Sequence, residues 1–218
     1  MLFVLSKGDI GCIYDSGYLK ITGRIKEILI TAGGENVPPL LIEDAIKEAL
    51  PCISNVMVVG DKKKYLCCVL TMKGRWALKI AICIRNSKFL IYWRISKMII
   101  SFAIFKVEVD PDTMEPKNNL SSPALDWCKE VGADSIKTVD DILADKNSKT
   151  FSLCERGIQT GIDKANQRAT SNAQKIQKWT ILKSDFSVPG GELGPTLKLK
   201  RHFVLQKYAE SINNMYYV

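Results

Sequence analysis

Three short stretches of this sequence gather residue types that hold anions. Gly8-Asp9 is followed by Gly23-Arg24-Ile25-Lys26, a glycine loop runs Gly33-Gly34-Glu35-Asn36, and Pro195-Thr196-Leu197-Lys198 lies near the carboxyl end. An arginine and a lysine beside a hairpin can hold phosphate or ribose. A carboxylate such as Asp9 can accept two sugar hydroxyls, and a lysine on a glycine-rich loop can be delivered to a phosphate as a mobile cation. Each stretch alone has a plainer reading: solvated charges, an ordinary turn, the charged start of a helix. Other chemistries find little support. His202 is the only histidine, which nearly excludes a histidine base or a zinc held by several histidines. The seven cysteines (Cys12, Cys52, Cys67, Cys68, Cys83, Cys128 and Cys154) show no CxxC or other ligand spacing. They read as small apolar core residues in a reducing compartment, and no metal site is expected.

The elements that must carry these stretches alternate strands and helices without strict β-α order. Asp15-Ser16-Gly17 marks a turn, Tyr18 to Ile21 a short strand and Glu27 to Ile30 a second, buried strand, together a hairpin that ends in the glycine loop. After Pro38 and Pro39, the spacing of Ile42, Ala45, Ile46, Ala49 and Leu50 predicts a helix closed by Pro51. Strands are expected over Asn55 to Gly60 and Tyr65 to Met72, joined by Asp61-Lys62-Lys63-Lys64; Cys67 and Cys68 then point to opposite faces. Further on, Ser122 reads as the cap of a helix with Pro123 at its first position and Gly132 at its stop, and Thr138 and Asp141 read as a capping box. A longer helix is expected from about Lys149 to Ala169, with Gly157 and Gly161 permitting close helix packing. A strand over Lys175 to Lys183, a glycine-rich loop over Val188 to Pro195 and a closing helix to about Tyr216 complete the chain. Trp127 and Trp179 read as core, and His202 as structural. This is a small α+β domain.

One segment does not fit that domain. The chain has 218 residues, 31 basic and 23 acidic, for a net charge of +8. Gly74 to Lys106 holds seven basic residues and no Asp or Glu, so the rest of the chain sets 24 basic against 23 acidic. With the charge elsewhere balanced and no RNP-like sequence, nucleic acid is not the expected partner. The segment's longest uncharged run, Met98 to Phe105, falls far short of the roughly 20 residues that span a bilayer, and its apolar residues occupy every face. Joining Lys73 to Val107 would restore a strand running into a turn. Residues 74–106 are therefore read as an insertion foreign to the domain, such as a translated intron would supply. Met1 to Lys7 lacks the long apolar region and small-residue cleavage site of a secretory signal, so none is expected there.

Taken in order, the stretches resemble the C-terminal part of the adenylate-forming acyl-CoA synthetases. The matching residues are Gly8-Asp9, Asp15-x-Gly17-Tyr18-Leu19, Thr22-Gly23-Arg24-Ile25-Lys26-Glu27, Ile30 to Pro39 with Ile42-Glu43, and Gly194 to Arg201. Ser171 to Trp179 and Gly190 to Pro195 look like the bubblegum-type long-chain fatty acyl-CoA synthetases in particular. The resemblance covers about residues 8–73 and 107–216 and departs from the family at Lys7, where Thr or Ser is usual, and at Leu41, where a polar residue is frequent.

The resemblance implies a two-step ligase reaction. Fatty acid and MgATP give acyl-adenylate and pyrophosphate; coenzyme A then displaces AMP. It implies a small C-terminal lid that turns between the steps, with residues 1–7 an atypical start, 8–26 a ribose-binding and hinge segment, and 27–73 with 107–216 the lid itself. Asp9 and Arg24 would contact ribose, and Lys26 would be the hinge. Gly33, Gly34, Glu35 and Asn36 would border the coenzyme A channel, and Lys198 would be the adenylation lysine, with Lys200 the competing candidate. ATP or AMP, CoA, Mg2+ and fatty acid would be ligands of the full-length enzyme. The large N-terminal domain of the family, with its phosphate loop and fatty-acid tunnel, is not among these residues, so the expectation is a fragment that neither binds these ligands tightly nor activates fatty acids alone. The expected setting is cytoplasmic, with peripheral association at endomembranes. The alternative is a non-catalytic module that docks on a synthetase or an anionic membrane surface.

Overall fold

The computed structural model describes residues 2–4, 8–13, 15–74, 76–78, 105–107, 118–144 and 148–217. Its centre is a three-stranded sheet of β6 (Ile53–Val59), β7 (Leu66–Met72) and β10 (Ile176–Ile181) in the order β10-β7-β6. β6 and β7 form the expected antiparallel hairpin, while β10 lies parallel to β7. A parallel neighbour needs a crossover. It is supplied by α2 (Ser122–Glu130), α3 (Val139–Leu143) and α4 (Lys149–Asn166).

Both faces of this sheet are covered, so β7 is buried along its whole length instead of alternating with solvent. Val56, Val58, Leu66, Cys68 and Leu70 pack with α2, α4 and α1 (Pro39–Ala49) on one side. Met57, Val59, Cys67 and Val69 pack on the other with Phe186, Leu193, Val204 and Ile212, brought there by the last loop, α5 (Arg201–Lys207) and α6 (Ala209–Asn214). Cys67 and Cys68 do face opposite layers. Cys52, Cys67, Cys68, Cys128 and Cys154 are buried free thiols, and burial raises the Cys52 thiol to about 12. Trp127 is core, while Trp179 is only partly buried and donates its indole N–H to Gln159. His202 is exposed on α5.

The amino end forms its own sheet, β1 (Leu2–Val4), β2 (Asp9–Ile13) and β3 (Leu19–Arg24), closed by the expected turn at Asp15-Ser16-Gly17. Here the expected hairpin is corrected. β3 pairs with β2, not with residues 27–30, because a 3-10 turn at Ile25–Glu27 redirects the chain. The strand expected over Glu27 to Ile30 shrinks to β4 (Leu29–Ile30), which pairs with β5 (Asn36–Val37) at an edge where Ile30 stays half exposed.

Other corrections are local. Ser121, not Ser122, caps α2: its carbonyl accepts from Ala124 and Leu125, its N–H donates to Lys73, and its hydroxyl makes no capping bond. The capping box at Thr138 and Asp141 is present, with both reciprocal bonds. α4 stops at Asn166, whose side chain turns to bond both the N–H and the C=O of Ile176 at 2.8 and 2.9 Å. The closing helix breaks at Tyr208, whose hydroxyl is held by Glu192 at 2.9 Å.

The basic segment begins and ends side by side. Gly74 bridges Leu120, and β8 (Trp76–Leu78) pairs antiparallel with β9 (Phe105–Val107). The bridge sets Gly74, the residue after β7 and Lys73, beside Leu120 at the approach to α2. Residues 79–104, and the turn expected after Val107, lie outside the described residues.

Candidate functional site

Lys198 stands at the tip of a tight hairpin. Leu193 and Leu199 bridge, Gly194 N–H donates to Lys198 C=O at 2.8 Å, and Leu197 N–H donates back to Gly194 C=O at 2.8 Å. That pattern needs a left-handed residue at Leu197, which has φ +59 although glycine or asparagine is the usual occupant. A left-handed residue with a Cβ costs about 1–2 kcal/mol, so the conformation persists only because its surroundings impose it. Lys198 is exposed, and among the described residues no hydrogen bond or ion pair engages its ammonium. Beside the tip runs a groove of about 430 Å³ lined by Ser54, Asn55, Phe186, Val188, Leu193 and Leu197. Lys200, the competing lysine, lies at the base of the hairpin, its N–H bonded to Glu192 C=O at 2.8 Å.

The base is held by two carboxylates that inspection of neighbouring residues does not reveal. Glu43, on α1, accepts both terminal nitrogens of Arg201 at 2.7 Å and the Val58 N–H at 2.8 Å. Glu192 accepts Lys207 at 2.6 Å and the Tyr208 hydroxyl at 2.9 Å. Burial disfavours the Glu192 carboxylate, but the Lys207 bond and further donors outweigh it and hold its pKa below 4.5. Arg201 likewise stays cationic: burial works against it, and the two bonds to Glu43 overcome that.

The strand register sets Asp9 directly opposite Arg24, and they form an ion pair at 3.0 Å. Lys26 lies exposed in the 3-10 turn, two residues further on. Next to it, Glu27 is 3.9 Å from Arg24 and 3.8 Å from Arg201. A run of charges thus joins the amino-terminal sheet to the base of the Lys198 hairpin.

The glycine loop is a separate structure. Thr31 organises it: its N–H donates to Glu35 C=O, its hydroxyl accepts the Glu35 N–H at 3.1 Å, and Gly34 takes φ +79. Ala32 N–H donates to Lys63 C=O at 2.9 Å, which fastens the loop to the β6–β7 turn. The Glu35 carboxylate accepts from the Ser171 hydroxyl and from Gln174 at 3.2 Å. Gly33, Gly34 and Asn36 are exposed.

The structure brings together Asp9, Arg24 and Lys26, and does not bring together Lys198 and the Gly33 loop. The loop lies against the Val59 end of β6, and the Lys198 hairpin against Ser54 and Asn55 at the other end. At about 3.3 Å per residue that strand separates them by roughly 20 Å. Among the described residues no cluster of His, Cys, Asp or Glu is arranged for a metal ion, so the Mg2+ implied by the resemblance finds no ligand set in them.

Residues 26–81 match the family described as the AMP-binding enzyme C-terminal domain. Across 97% of its length the chain is 42% identical to the long-chain-fatty-acid–CoA ligase ACSBG2 of Xenopus laevis, of which it covers 24%. It is 40% identical to the human ligase of that name over 98% of its length, covering 26%. The chain therefore spans about a quarter of the length of these relatives. Among solved structures it resembles the adenylation domain of a carboxylate reductase from Mycobacterium chelonae, with TM-score 0.55, 16% identity, and coverage of 96% of this chain and 22% of that one. The corresponding domain from Segniliparus rugosus gives TM-score 0.52 at 15% identity, with 96% and 22% covered. At such identities these structures speak for the fold alone. The chain is homologous to the C-terminal region of the bubblegum-type long-chain-fatty-acid–CoA ligases.

Proposed function

We propose that this chain is the lid of an AMP-forming long-chain fatty acid–CoA ligase. Lys198 serves adenylation and the Gly33 to Asn36 loop serves thioester formation. In the first step a fatty carboxylate attacks the α-phosphorus of ATP and pyrophosphate leaves; in the second the CoA sulfur attacks the acyl carbonyl and AMP leaves. Two anions must meet in the first step, and the Lys198 ammonium would offset the charge that builds on the phosphoryl oxygens. Asp9 and Arg24 are read as ribose contacts and Lys26 as the pivot. No helix among the described residues is long and apolar enough to cross a membrane. We place the ligase in the cytoplasm, with peripheral contact at endomembranes.

The observation that carries this reading is Lys198, without a side-chain partner among the described residues, on a strained, anchored hairpin at the far end of β6 from the glycine loop. The test is a chimera in which this chain replaces the corresponding C-terminal region of the Xenopus laevis ligase. Lys198→Ala is expected to slow acyl-adenylate formation by about 10²- to 10³-fold and to leave thioester formation from synthetic acyl-adenylate near the parent rate. Unchanged adenylation by that variant overturns the assignment.

A further inference from the structure

Among the described residues two carboxylates are buried, Glu43 at 4% exposure and Glu192 at 2%. Both are spent on the same hairpin. Glu192 immediately precedes the Leu193–Leu199 bridge, and its backbone C=O accepts the Lys200 N–H at 2.8 Å, so it closes the hairpin from inside. Its side chain then reaches Lys207 and Tyr208 across the α5–α6 break. Glu43 takes the bidentate fork of Arg201, the residue that follows Lys200, and ties the outgoing strand to α1 and to the Val58 N–H of β6. A buried ion pair is a poor source of stability, because desolvating two charges cancels most of their attraction, and an apolar pair of equal volume often serves as well. Arg201–Glu43 is such a pair, and Glu192 is buried although its partner Lys207 is half exposed; the two carboxylates hold the two ends of one short hairpin. What the hairpin holds out is Lys198, next to the left-handed Leu197.

We propose that Glu192 and Glu43 are positioning residues: through Lys207 with Tyr208, and through Arg201, they clamp the two ends of the hairpin and so fix where Lys198 can place its ammonium. Neither touches substrate. The inference rests on the adenylation role proposed for Lys198 and extends it to the residues that aim it. A long lysine on a loose loop would still be a cation. It would reach the reacting oxygens in only a fraction of its orientations, and a misplacement of about 1 Å at a reacting centre can cost roughly 100-fold in rate.

The mechanical half is tested on the 218-residue chain itself. Glu192→Gln should raise amide hydrogen exchange at Gly194 and Leu197 at least about ten-fold while β6 and β7 keep their protection, because only the hairpin's restraints are loosened. The functional half is tested in the chimera with the Xenopus laevis ligase region. There Glu192→Gln should lower adenylation kcat by about 10- to 100-fold, with KM for ATP and the thioester rate from synthetic acyl-adenylate unchanged. Lys207→Ala, at the exposed end of the pair, should give a smaller loss in the same step, and Lys207→Arg should restore it. This second pair keeps the test decisive if Glu192→Gln does not fold. Equal losses in both half-reactions, or normal adenylation alongside a loosened hairpin, overturn the clamp. Lys198→Ala run in parallel separates the two failures: if it leaves adenylation intact, the role of Lys198 itself has failed, and the clamp with it.

Discussion

Leu197 marks the hairpin as a place where local preference has been overruled. Its φ of +59 belongs to glycine, yet the position carries a branched aliphatic side chain that is 61% exposed and so gains little from burial. Two opposed effects decide what Leu197→Gly does. Relief of left-handed strain favours the folded state by about 1–2 kcal/mol, and the extra freedom of glycine in the unfolded chain takes back about 0.4–1 kcal/mol. The net expectation is a gain of a few tenths to about 1 kcal/mol, seen as a higher denaturant midpoint with unchanged slope. A loss of stability would mean that the Leu197 side chain contributes to the groove beside Asn55 more than its exposure implies. Neighbours along the chain show nothing of this strain. The stretch around Lys198 reads as the charged start of a helix until the bonds between Gly194, Leu197 and Lys198 fix its geometry.

Periodic elements were legible, and features that depend on partners far away in sequence were not. The spacing of Ile42, Ala45 and Ile46 foretold α1, the β6–β7 hairpin followed from two apolar runs around Asp61 to Lys64, and the Thr138–Asp141 capping box is a purely local signal. The pairing of β3 failed because register depends on which strand lies alongside, and β2 carries glycine and isoleucine without clear alternation. Glu43 and Arg201 lie 158 residues apart, and no spacing rule joins them. The glycines of α4 were legible, and they permit a sharp prediction. A Cβ on Gly161 would stand 2.3 Å from Leu50 Cδ2 and 2.4 Å from its Cγ, and Leu50 is buried among α1, α4 and the sheet. Alanine gains about 1 kcal/mol of helix propensity over glycine, and forced overpacking costs about 1–3 kcal/mol. With Leu50 unable to swing into solvent the second effect wins: Gly161→Ala should lower stability by up to about 2 kcal/mol, and the loss should be smaller when the same substitution is measured in a Leu50→Ala background. The basic segment supports another expectation. Trp76 and Val107 are paired, so their Cα atoms lie about 4.5–5.5 Å apart and a turn of two to four residues closes the gap. Replacing residues 77–106 with such a turn should leave the thermal midpoint within a few degrees of the parent. A collapse of the midpoint would make the segment part of the fold, against its reading as an insertion.

At the scale of the whole molecule, the layered core separates the Gly33 loop from the Lys198 hairpin. The Gly33 loop hangs on the turn after β6, the Lys198 hairpin rests at the start of β6, and the strand between them is buried on both faces by the two apolar clusters. A group must come within about 3 Å of the atoms it stabilises, so two sites roughly 20 Å apart along a strand cannot serve one bound nucleotide in a single orientation. Either the two sites do unrelated things or the domain presents them in turn. Turning is favoured by the placement of Lys26: it sits in a three-residue 3-10 turn, exposed, between the Asp9–Arg24 pair on one side and Glu27 with the Arg201–Glu43 pair on the other. A rotation there would leave both buried clusters intact; it would part β3 from α1, where Gly23 lies beside Pro38, and break the half-exposed Arg24–Glu27 contact at 3.9 Å, which is worth about 0–1 kcal/mol. The resulting prediction is a crossed pair of defects in the chimera. Glu35→Ala removes the carboxylate that Ser171 and Gln174 hold behind the glycine loop, and should slow thioester formation while leaving adenylation unchanged. Lys198→Ala should do the reverse, and the double variant should show both defects without extra loss, since sites so far apart act independently. If both substitutions depress the same half-reaction, the two ends of β6 meet the nucleotide together, and a lid that rotates between steps is the wrong description of this domain.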